Sequence, residues 1–201
     1  MDKIVNGFLF SSIPKIVGTP DYEKIDEVHF QLNSNAESVH SNLSNRALSI
    51  LYLTVLPSIY NTLSATTFTP LSNPGATPDI PVGYTATQIA ALRYAHTTAV
   101  VLFYEYDRTD KALFQQLLST VDKILIRPLP HFYVGYGTVL KRDILGHLYA
   151  TYANILPSNL HENETRFRAP YDANHPTKTL TDQVKTAVEY VPAGNTPYSP
   201  A

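Results

Sequence analysis

The chain has 201 residues, of which 44% are hydrophobic and 16% are charged, and its formal net charge is −2. This length suits one ordinary domain or two small ones, and the hydrophobic content excludes an intrinsically disordered chain. The 15 lysines and arginines are scattered, whereas a dedicated nucleic-acid-binding protein usually clusters them, so that role is disfavoured. Cysteine is absent, which excludes disulfides, thiolate catalysis and cysteine-based zinc sites.

Neither end of the sequence suggests a targeting or membrane segment. The N-terminal MDKIVNGFLFSSIPK has a short apolar run and lacks the features of a signal peptide. No run approaches the ~18 apolar residues that a membrane-spanning helix needs. We therefore expect a cytoplasmic protein with no membrane partner. The seven histidines show no metal-ligand spacing, so we also expect no metal and no cofactor.

The first predicted elements are an N-terminal arm and an amphipathic helix. Residues 1–20 contain Pro14, Gly18 and Pro20 and are expected to form the arm. From Asp21 onward, apolar residues recur three and four positions apart, which predicts a helix with one apolar face. That face comprises Ile25, Val28, Leu32, Ala36, Val39 and Leu43.

A second apolar segment and a proline-rich loop follow. The segment ALSILYLTVLPSIYNTL, residues 47–63, could begin as a strand, but Pro57 fits the first turn of a helix better than a strand interior. We therefore expect it to be helical. The next stretch, FTPLSNPGATPDIPVG at 68–83, holds four prolines and two glycines. This composition predicts a long exposed loop over 68–84.

The longest apolar stripe lies behind a predicted helix start. Thr85 and Gln88 have the spacing of a capping box. The stripe could form one helix over 86–126, or two helices separated at DRTD, residues 107–110. We expect the break, because uncapped helices longer than ~25 residues are unusual in compact domains. The stripe contains Ile89, Leu92, His96, Ala99, Phe103, Tyr106, Leu113, Leu117, Val121 and Ile124.

The C-terminal third predicts three more helices. RPLPHFYVGYG, residues 127–137, is a turn-rich connector. Thr138 is expected to cap the following helix, and a proline begins the next helix, over 157–168. After another loop, Thr177 is expected to cap a final helix that ends near Val191.

Together these elements predict an all-α fold, a compact multi-helix bundle of about seven helices with a long Pro-rich loop. The expected organisation is an arm over 1–20, a helical domain over 21–191 and a C-terminal tail over 192–201. No internal repeat is visible in the sequence.

The densest polar cluster is DILGHLYATYANILPSN, residues 143–159. Asp143 and His147 are four positions apart and could form a surface pair. A catalytic role would also need a nucleophile and a third, orienting group, and this stretch supplies neither. We therefore interpret it as a core or interface helix. Its apolar sector contains Leu140, Ile144, Leu145, Leu148, Tyr149 and Tyr152.

Three isolated patterns also have functional readings. Ser12 and Lys15 match SxxK but lie in the predicted arm, without a companion motif. Gly135-Tyr-Gly137 is half of a glycine-rich loop without a preceding strand or P-loop lysine. His96 lies on an apolar stripe, where a core histidine is more common than a ligand. We favour structural roles for all three.

Acids and tyrosines raise two further alternatives. Four acids cluster in the first turn of a helix, where they complement its dipole, although a carboxylate metal site is possible there. The 14 tyrosines could stack on bases, but basic residues are not interleaved with them. We expect no catalytic, cofactor-binding or metal-binding residues. The four acids are Asp21, Glu23, Asp26 and Glu27.

Several stretches together carry a family resemblance. They are DKALFQQLLSTVDKILIRPL at 110–129, DILGHLYATYANI at 143–155, LHENETRFRAPYDANHPTKTLTDQV at 160–184 and AVEYVPAGNTPYS at 187–199. In this order they resemble the Gag (capsid-region) domain of copia-type LTR retrotransposons, whose "LL.HLY..Y" pattern is matched by Leu145, His147, Leu148, Tyr149 and Tyr152. SVHSNL at 38–43 and the NPG…P.IP loop at 73–81 extend the resemblance to the first half.

The resemblance implies a structural, non-enzymatic function. Copies of the chain would associate through weak contacts into a capsid-like shell of the retroelement, and its RNA would be bound indirectly, through regions not present here. Two alternatives remain. One is a helical adaptor, unrelated to transposition, whose Pro-rich loop binds partners, and the other is an enzyme that uses the carboxylates at 21–27 or His96.

Overall fold

The computed structural model describes residues 2–5, 7–39, 50–64, 69–153, 155, 157–170 and 176–193. Within these ranges there are six helices of seven residues or more and one four-residue helix, with no strand beyond an isolated bridge between His131 and Gly135. The predicted all-α class is confirmed. The helices are α1 (Asp2–Val5), α2 (Tyr22–Ser38), α3 (Pro57–Leu63), α4 (Ala86–Thr120), α5 (Lys141–Tyr152), α6 (Pro157–Phe167) and α7 (Thr177–Ala193).

Helix α4 is one continuous helix of 35 residues, so the predicted break at 107–110 is wrong. It contains no glycine or proline, and the DRTD stretch is bonded into the helix. Lys111 Nζ lies 2.7 Å from Asp107 Oδ2, and the Thr109 hydroxyl donates to the Glu105 carbonyl. The buried Lys141 also pairs with Asp110, which ties α5 to this part of α4.

The two ends of α4 follow from local sequence. The predicted capping box is confirmed, because Thr85 Oγ1 accepts from the Gln88 backbone N–H and the Gln88 side chain accepts from the Thr85 N–H. The helix ends at Thr120 rather than near 126, and turns lead from Val121 towards α5. Residues 127–137 are turns, as predicted.

The core lies where α2 packs against α4 and α5. Each fully buried leucine or isoleucine contributes about 1.5–3 kcal/mol relative to an exposed one. Every buried residue of α4 lies from Tyr106 onward, so only the C-terminal part of this helix enters the core. The fully buried residues of these three helices include Ile25, Leu32, Leu113, Leu117, Ile144 and Leu148.

The N-terminal segment predicted as an arm packs onto this core. Phe8, Ile13 and Ile16 are buried, and the Ile16 N–H donates to the Thr120 carbonyl over 3.0 Å. The apolar residues of the segment therefore cover the end of α4, and the segment does not extend away from the domain.

A buried polar contact, here called the Asn35–Gln116 clamp, fastens that segment. Asn35 Oδ1 accepts from the Phe10 N–H at 2.7 Å, and Asn35 Nδ2 donates to the Phe10 carbonyl at 2.8 Å and to Gln116 Oε1 at 2.9 Å. Gln116 Nε2 donates to the carbonyls of Phe10 and Ser11. Two side chains thus join the N-terminal segment, α2 and α4.

Helices α6 and α7 pack against each other and attach to α2. The buried Asn163 donates from Nδ2 to the Ala187 carbonyl at 2.9 Å. Arg166 pairs with Glu23 at 2.6 Å, which links α6 to the first turn of α2.

Local start signals were partly correct. Pro57 is the first residue of α3, and α6 begins at residue 157, as predicted. Thr138 does not cap α5, which begins at Lys141 with Leu140 as the N-cap residue. Thr177 is the first helical residue of α7 rather than its cap.

The loop prediction holds where the structure describes it, since 69–85 contains no regular element and Gly75 and Gly83 have positive φ. Residues 40–49 and 65–68, which held parts of the first and second predicted helical segments and of the loop, lie outside the described residues. So do 194–201 of the predicted tail.

Truncation of the clamp should destabilise the domain strongly. Asn35→Ala leaves the Phe10 N–H and Gln116 Oε1 without their partner, at about 1–3 kcal/mol for each unsatisfied group, while the Phe10 carbonyl keeps the bond from Gln116 Nε2. Ser34→Ala is the matched control, because Ser34 is a half-buried neighbour on the same helix whose hydroxyl bonds the Phe30 carbonyl of that helix and does not take part in the clamp. Urea unfolding of both variants measures the difference, and equal midpoints would show that the clamp is not stabilising.

Candidate functional site

Among the polar residues of 143–159, Asp143, His147 and Tyr152 form structural contacts. Asp143 accepts from the Leu140 N–H at 3.1 Å and so caps α5. His147 Nε2 bonds the Leu125 carbonyl at 3.0 Å, and the Tyr152 hydroxyl points to the same carbonyl. The predicted Asp143–His147 pair is therefore replaced by two separate contacts. His147 fixes the chain after α4 to the outer side of α5.

A polar cluster that the sequence did not reveal joins α2 to α5. Tyr149 donates its hydroxyl proton to Asp26 Oδ1 at 3.0 Å, and His29 Nδ1 lies 3.2 Å from the same hydroxyl oxygen. Since the Tyr149 proton points to Asp26, His29 acts as the donor to Tyr149. Tyr22 packs against the Tyr149 ring with centroids 6.0 Å apart. We call these residues the His29–Tyr149 cluster.

The electrostatics of this cluster keep both aromatic groups uncharged. Burial, together with the nearby Asp26 carboxylate, raises the pKa of Tyr149 far above its ordinary value. Burial lowers the pKa of His29, and the Thr54 backbone and the Asp26 carboxylate oppose that effect only in part. At neutral pH, the phenol remains a hydrogen-bond donor and the imidazole remains neutral. The cluster is suited to holding α2 against α5.

Each acid of the 21–27 group has its own partner. Asp21 caps α2 by accepting from the Lys24 N–H at 2.9 Å and also pairs with Lys24 Nζ. Glu23 pairs with Arg166, Asp26 accepts from Tyr149, and Glu27 accepts from Gln31. Among the described residues, no group of three or more histidines and acids is placed to hold a metal ion.

The isolated motifs lie apart from one another. Ser12 and Lys15 are exposed between buried residues of the N-terminal segment, and His96 is half-buried on α4. Gly135 has a φ of +57° and closes a tight turn. Its N–H donates to the His131 carbonyl, and its carbonyl accepts from the His131 N–H. The structure brings none of these residues together.

Two clefts indent the surface near α2. One, of about 490 Å³, is lined by charged residues that include the Glu23–Arg166 pair and by Tyr190. The other, of about 470 Å³, lies between α2 and the N-terminal segment and is lined by apolar residues, among them Ile13, Ile16 and Val28, and by two lysines and two glutamates. Both are open to solvent, and the first is bridged by its own ion pair.

Exposed apolar side chains are the more distinctive feature of the surface. The turn at 131–135 presents Phe132 and Tyr133 with 90% and 84% of their surface exposed. On α4, Tyr94 is 75% exposed and Val101 is 56% exposed. Contiguous exposed apolar surface commonly marks a site of protein association. The apolar periodicity of the sequence predicted a single apolar face on α4. It therefore did not identify Tyr94 and Val101 as exposed apolar residues.

Comparison with known proteins found no matching family model, no similar curated protein and no similar solved structure. In the part of the chain that the structure describes, no helix combines the length and the apolar character needed to cross a membrane.

The protonation of His29 should make the fold sensitive to acid. In the unfolded chain His29 titrates near 6.5, whereas burial lowers its pKa in the folded state. The unfolded state therefore binds more protons, and stability present above pH ~6.5 is lost as the pH falls, by up to about 1.4 kcal/mol per pH unit. His29→Asn should reduce this loss in urea unfolding at about pH 7.5 and 5.5.

His161→Asn is the control for that measurement, because His161 is exposed on α6. It should retain the pH dependence of the unmodified chain. If His29→Asn and His161→Asn lost stability equally on acidification, the acid sensitivity would come from other groups.

Neighbouring residues of α5 should separate core packing from surface contact. Leu148 is fully buried, so Leu148→Ala should cost about 2–5 kcal/mol. His147→Ala removes one half-buried hydrogen bond and should cost about 1 kcal/mol or less. Thermal or urea unfolding measures both, and a His147→Ala variant that unfolded as readily as Leu148→Ala would contradict this assignment.

Proposed function

We propose that this chain is a structural, non-enzymatic domain whose copies associate with one another, in the manner of a Gag capsid domain that forms a retroelement shell in the cytoplasm. The observation that carries the proposal is the amount of apolar surface that the fold leaves exposed on separate elements. Such surfaces are costly to leave in water and are commonly covered by another protein.

Three elements carry groups of exposed apolar residues that are candidates for such contacts. Helix α3 buries Tyr60 but exposes an apolar stripe at i, i+3 and i+7. Helix α4 exposes aromatic and branched residues in its N-terminal half, which precedes the half that enters the core. The turn at 131–135 exposes the apolar side chains at its tip. An assembly needs more than one contact surface on each copy, because closed rings and arrays combine separate interfaces. The residues are Leu56, Ile59 and Leu63 on α3, Tyr94, Val101 and Tyr104 on α4, and Phe132, Tyr133 and Val134 in the turn.

The amino-acid composition is also compatible with association. Only 16% of the residues are charged, and 14 are tyrosines. Tyrosine is enriched in the cores of protein interfaces, where lysine and glutamate are depleted. Each contact is expected to be small, near or below about 1,200 Å² of buried surface, so that association remains weak and reversible.

Residues that carry the family resemblance lie in the core and at contacts between helices, and their placement is compatible with the same proposal. Leu145 and Leu148, which match the "LL.HLY..Y" pattern, are buried between α5 and its neighbours. His147 and Tyr149 in that pattern fix α5 to adjacent segments. The residues that carry the resemblance therefore hold the scaffold together and leave association to the outer surfaces.

The second candidate is an adaptor that binds partners through the Pro-rich loop. The loop exposes Ile80, Val82 and Tyr84 beside four prolines, and extended proline-rich segments are common ligands of aromatic grooves. In this case the partner would be a different protein, and the chain itself would remain monomeric.

Sedimentation velocity across concentration distinguishes the two functions. The chain should show reversible association between about 1 µM and 1 mM. Val82→Ser, in the loop, should not change it, because the proposed contacts lie elsewhere. Negative-stain microscopy of the full-length protein should show particles. A chain that stays monomeric at about 1 mM, in a full-length protein that forms no particles, would refute the capsid function and favour the adaptor.

A further inference from the structure

The N-terminal part of α4 carries a second stripe of side chains, here called the α4 seam. It runs along one face with alternating spacings of four and three residues, the 3.5-residue average of a coiled-coil seam. The seam consists of Ala90, Tyr94, Thr97, Val101 and Tyr104, and Arg108 occupies the next position.

Every member of the seam is exposed. Tyr94, Val101 and Tyr104 are 75%, 56% and 47% exposed, and Ala90 and Thr97 are also on the surface. From Ala86 to Tyr104, Arg93 is the one lysine, arginine, aspartate or glutamate in the sequence. A solvent-facing helix normally carries charged residues on its outer face. The seam lacks them.

The seam is not the face that α4 turns towards the rest of the chain. On a different side of the helix, centred about 120° away at ~100° per residue, Ile89, Leu92, His96, Val100 and Phe103 are half-buried. This is the face whose periodicity the sequence revealed. The fold therefore uses one side of the N-terminal half of α4 and leaves the seam available.

We propose that the α4 seam pairs with the same seam of a second copy of this chain, with the two helices antiparallel. The inference rests on the proposed self-association and names the surface and the geometry of one of its contacts. The pair would have a twofold axis at Thr97, so that Thr97 of one copy faces Thr97 of the other.

Side-chain sizes favour this arrangement. In the antiparallel pair, Ala90 faces Tyr104 of the second copy, and Tyr94 lies within one residue, about 1.5 Å along the axis, of Val101. Each large ring therefore meets a smaller side chain, and small threonines lie at the centre. Packing is best when large and small residues alternate across facing positions. A parallel pair in register would instead oppose Tyr94 to Tyr94 and Tyr104 to Tyr104.

The position of the Arg108 charge also favours the antiparallel pair over a parallel one. A parallel pair would bring Arg108 of one helix against Arg108 of the other at the next seam position, and like charges directly opposed are destabilising. In the antiparallel pair, Arg108 lies opposite Ala86, the first residue of the facing helix, and the two Arg108 side chains are far apart. The guanidinium of Arg108 also remains over its own Tyr104 ring, 5.6 Å from the centroid.

The length of the seam sets the strength of the contact. From Ala90 to Tyr104 a helix rises about 21 Å, at ~1.5 Å per residue. A helix pair of this length belongs to the small class of interfaces, below about 1,200 Å². The pair is therefore a weak dimer that needs other surfaces to build a larger assembly.

Val101→Arg tests the seam because it places a charged side chain against Tyr94 of the facing helix, within the apolar contact, without disturbing a buried residue. We expect it to weaken dimerisation at least tenfold in sedimentation equilibrium, with an unchanged helical circular dichroism spectrum. Ala95→Arg is the matched control, since it adds the same charge at an exposed position of α4 off the seam, and it should dimerise like the unmodified chain. If Val101→Arg failed to fold, Tyr94→Arg would test the same surface.

Single cysteines then test the direction of pairing, because the chain has no cysteine of its own. Under oxidation, Thr97→Cys should form a disulfide-linked dimer, since the axis places the two residues together. Ala90→Cys should not, because the antiparallel helices place its two copies far apart. Efficient cross-linking of Ala90→Cys would overturn the antiparallel geometry.

The outcomes separate this inference from the proposed function. Dimerisation that Val101→Arg leaves intact would overturn the seam while the function stood. Loss of dimerisation in Val101→Arg, in a protein whose full-length form makes no particles, would retain the seam and refute the capsid role. An unmodified chain that is monomeric at about 1 mM would overturn the seam outright.

Discussion

The Asn35–Gln116 clamp is the contact on which the arrangement of the core depends. Two buried amides can be tolerated between helices only when their donors and acceptors are satisfied, and here Phe10 and Ser11 supply the backbone partners. One register of α2 against α4 meets this requirement, and it also places Ile13 and Ile16 under the end of α4. The clamp thus converts a proline-containing N-terminal segment into part of the core.

Around that core, polar side chains are used to fasten one element to another. Lys141 reaches Asp110, Tyr149 reaches Asp26 and Arg166 reaches Glu23, so that α5 and α6 are tied to α4 and α2. Most of the polar and ionisable residues that the sequence offered as candidate site residues make structural contacts of this kind. Several apolar side chains remain exposed without a role in the fold, which is the physical basis for proposing association as the function.

The sequence predicted what local physics determines. The capping box at Thr85, the prolines that begin two helices and the apolar periodicity of α2 and of α4 from Tyr106 all act within a few residues, and each matched the structure. The stripe was wrong at Ala99, which is exposed, and at Ile124, which is exposed and lies beyond the helix. The break in α4 was wrongly predicted because its length depends on packing around Tyr106 and on the pair of Asp110 with Lys141. The clamp and the His29–Tyr149 cluster join distant residues, so no local pattern could have identified them.

The two halves of α4 differ in what holds them in helical form. Beyond Tyr106 the helix is locked by the core, whereas the preceding five turns rely on the capping box, one half-buried face and intrinsic propensity. Local opening of that half therefore requires much less free energy than global unfolding. Any partner that binds only the helical form raises this opening energy by mass action, so amide hydrogen exchange between Ala86 and Glu105 would directly report the fraction of the protein that such a partner binds.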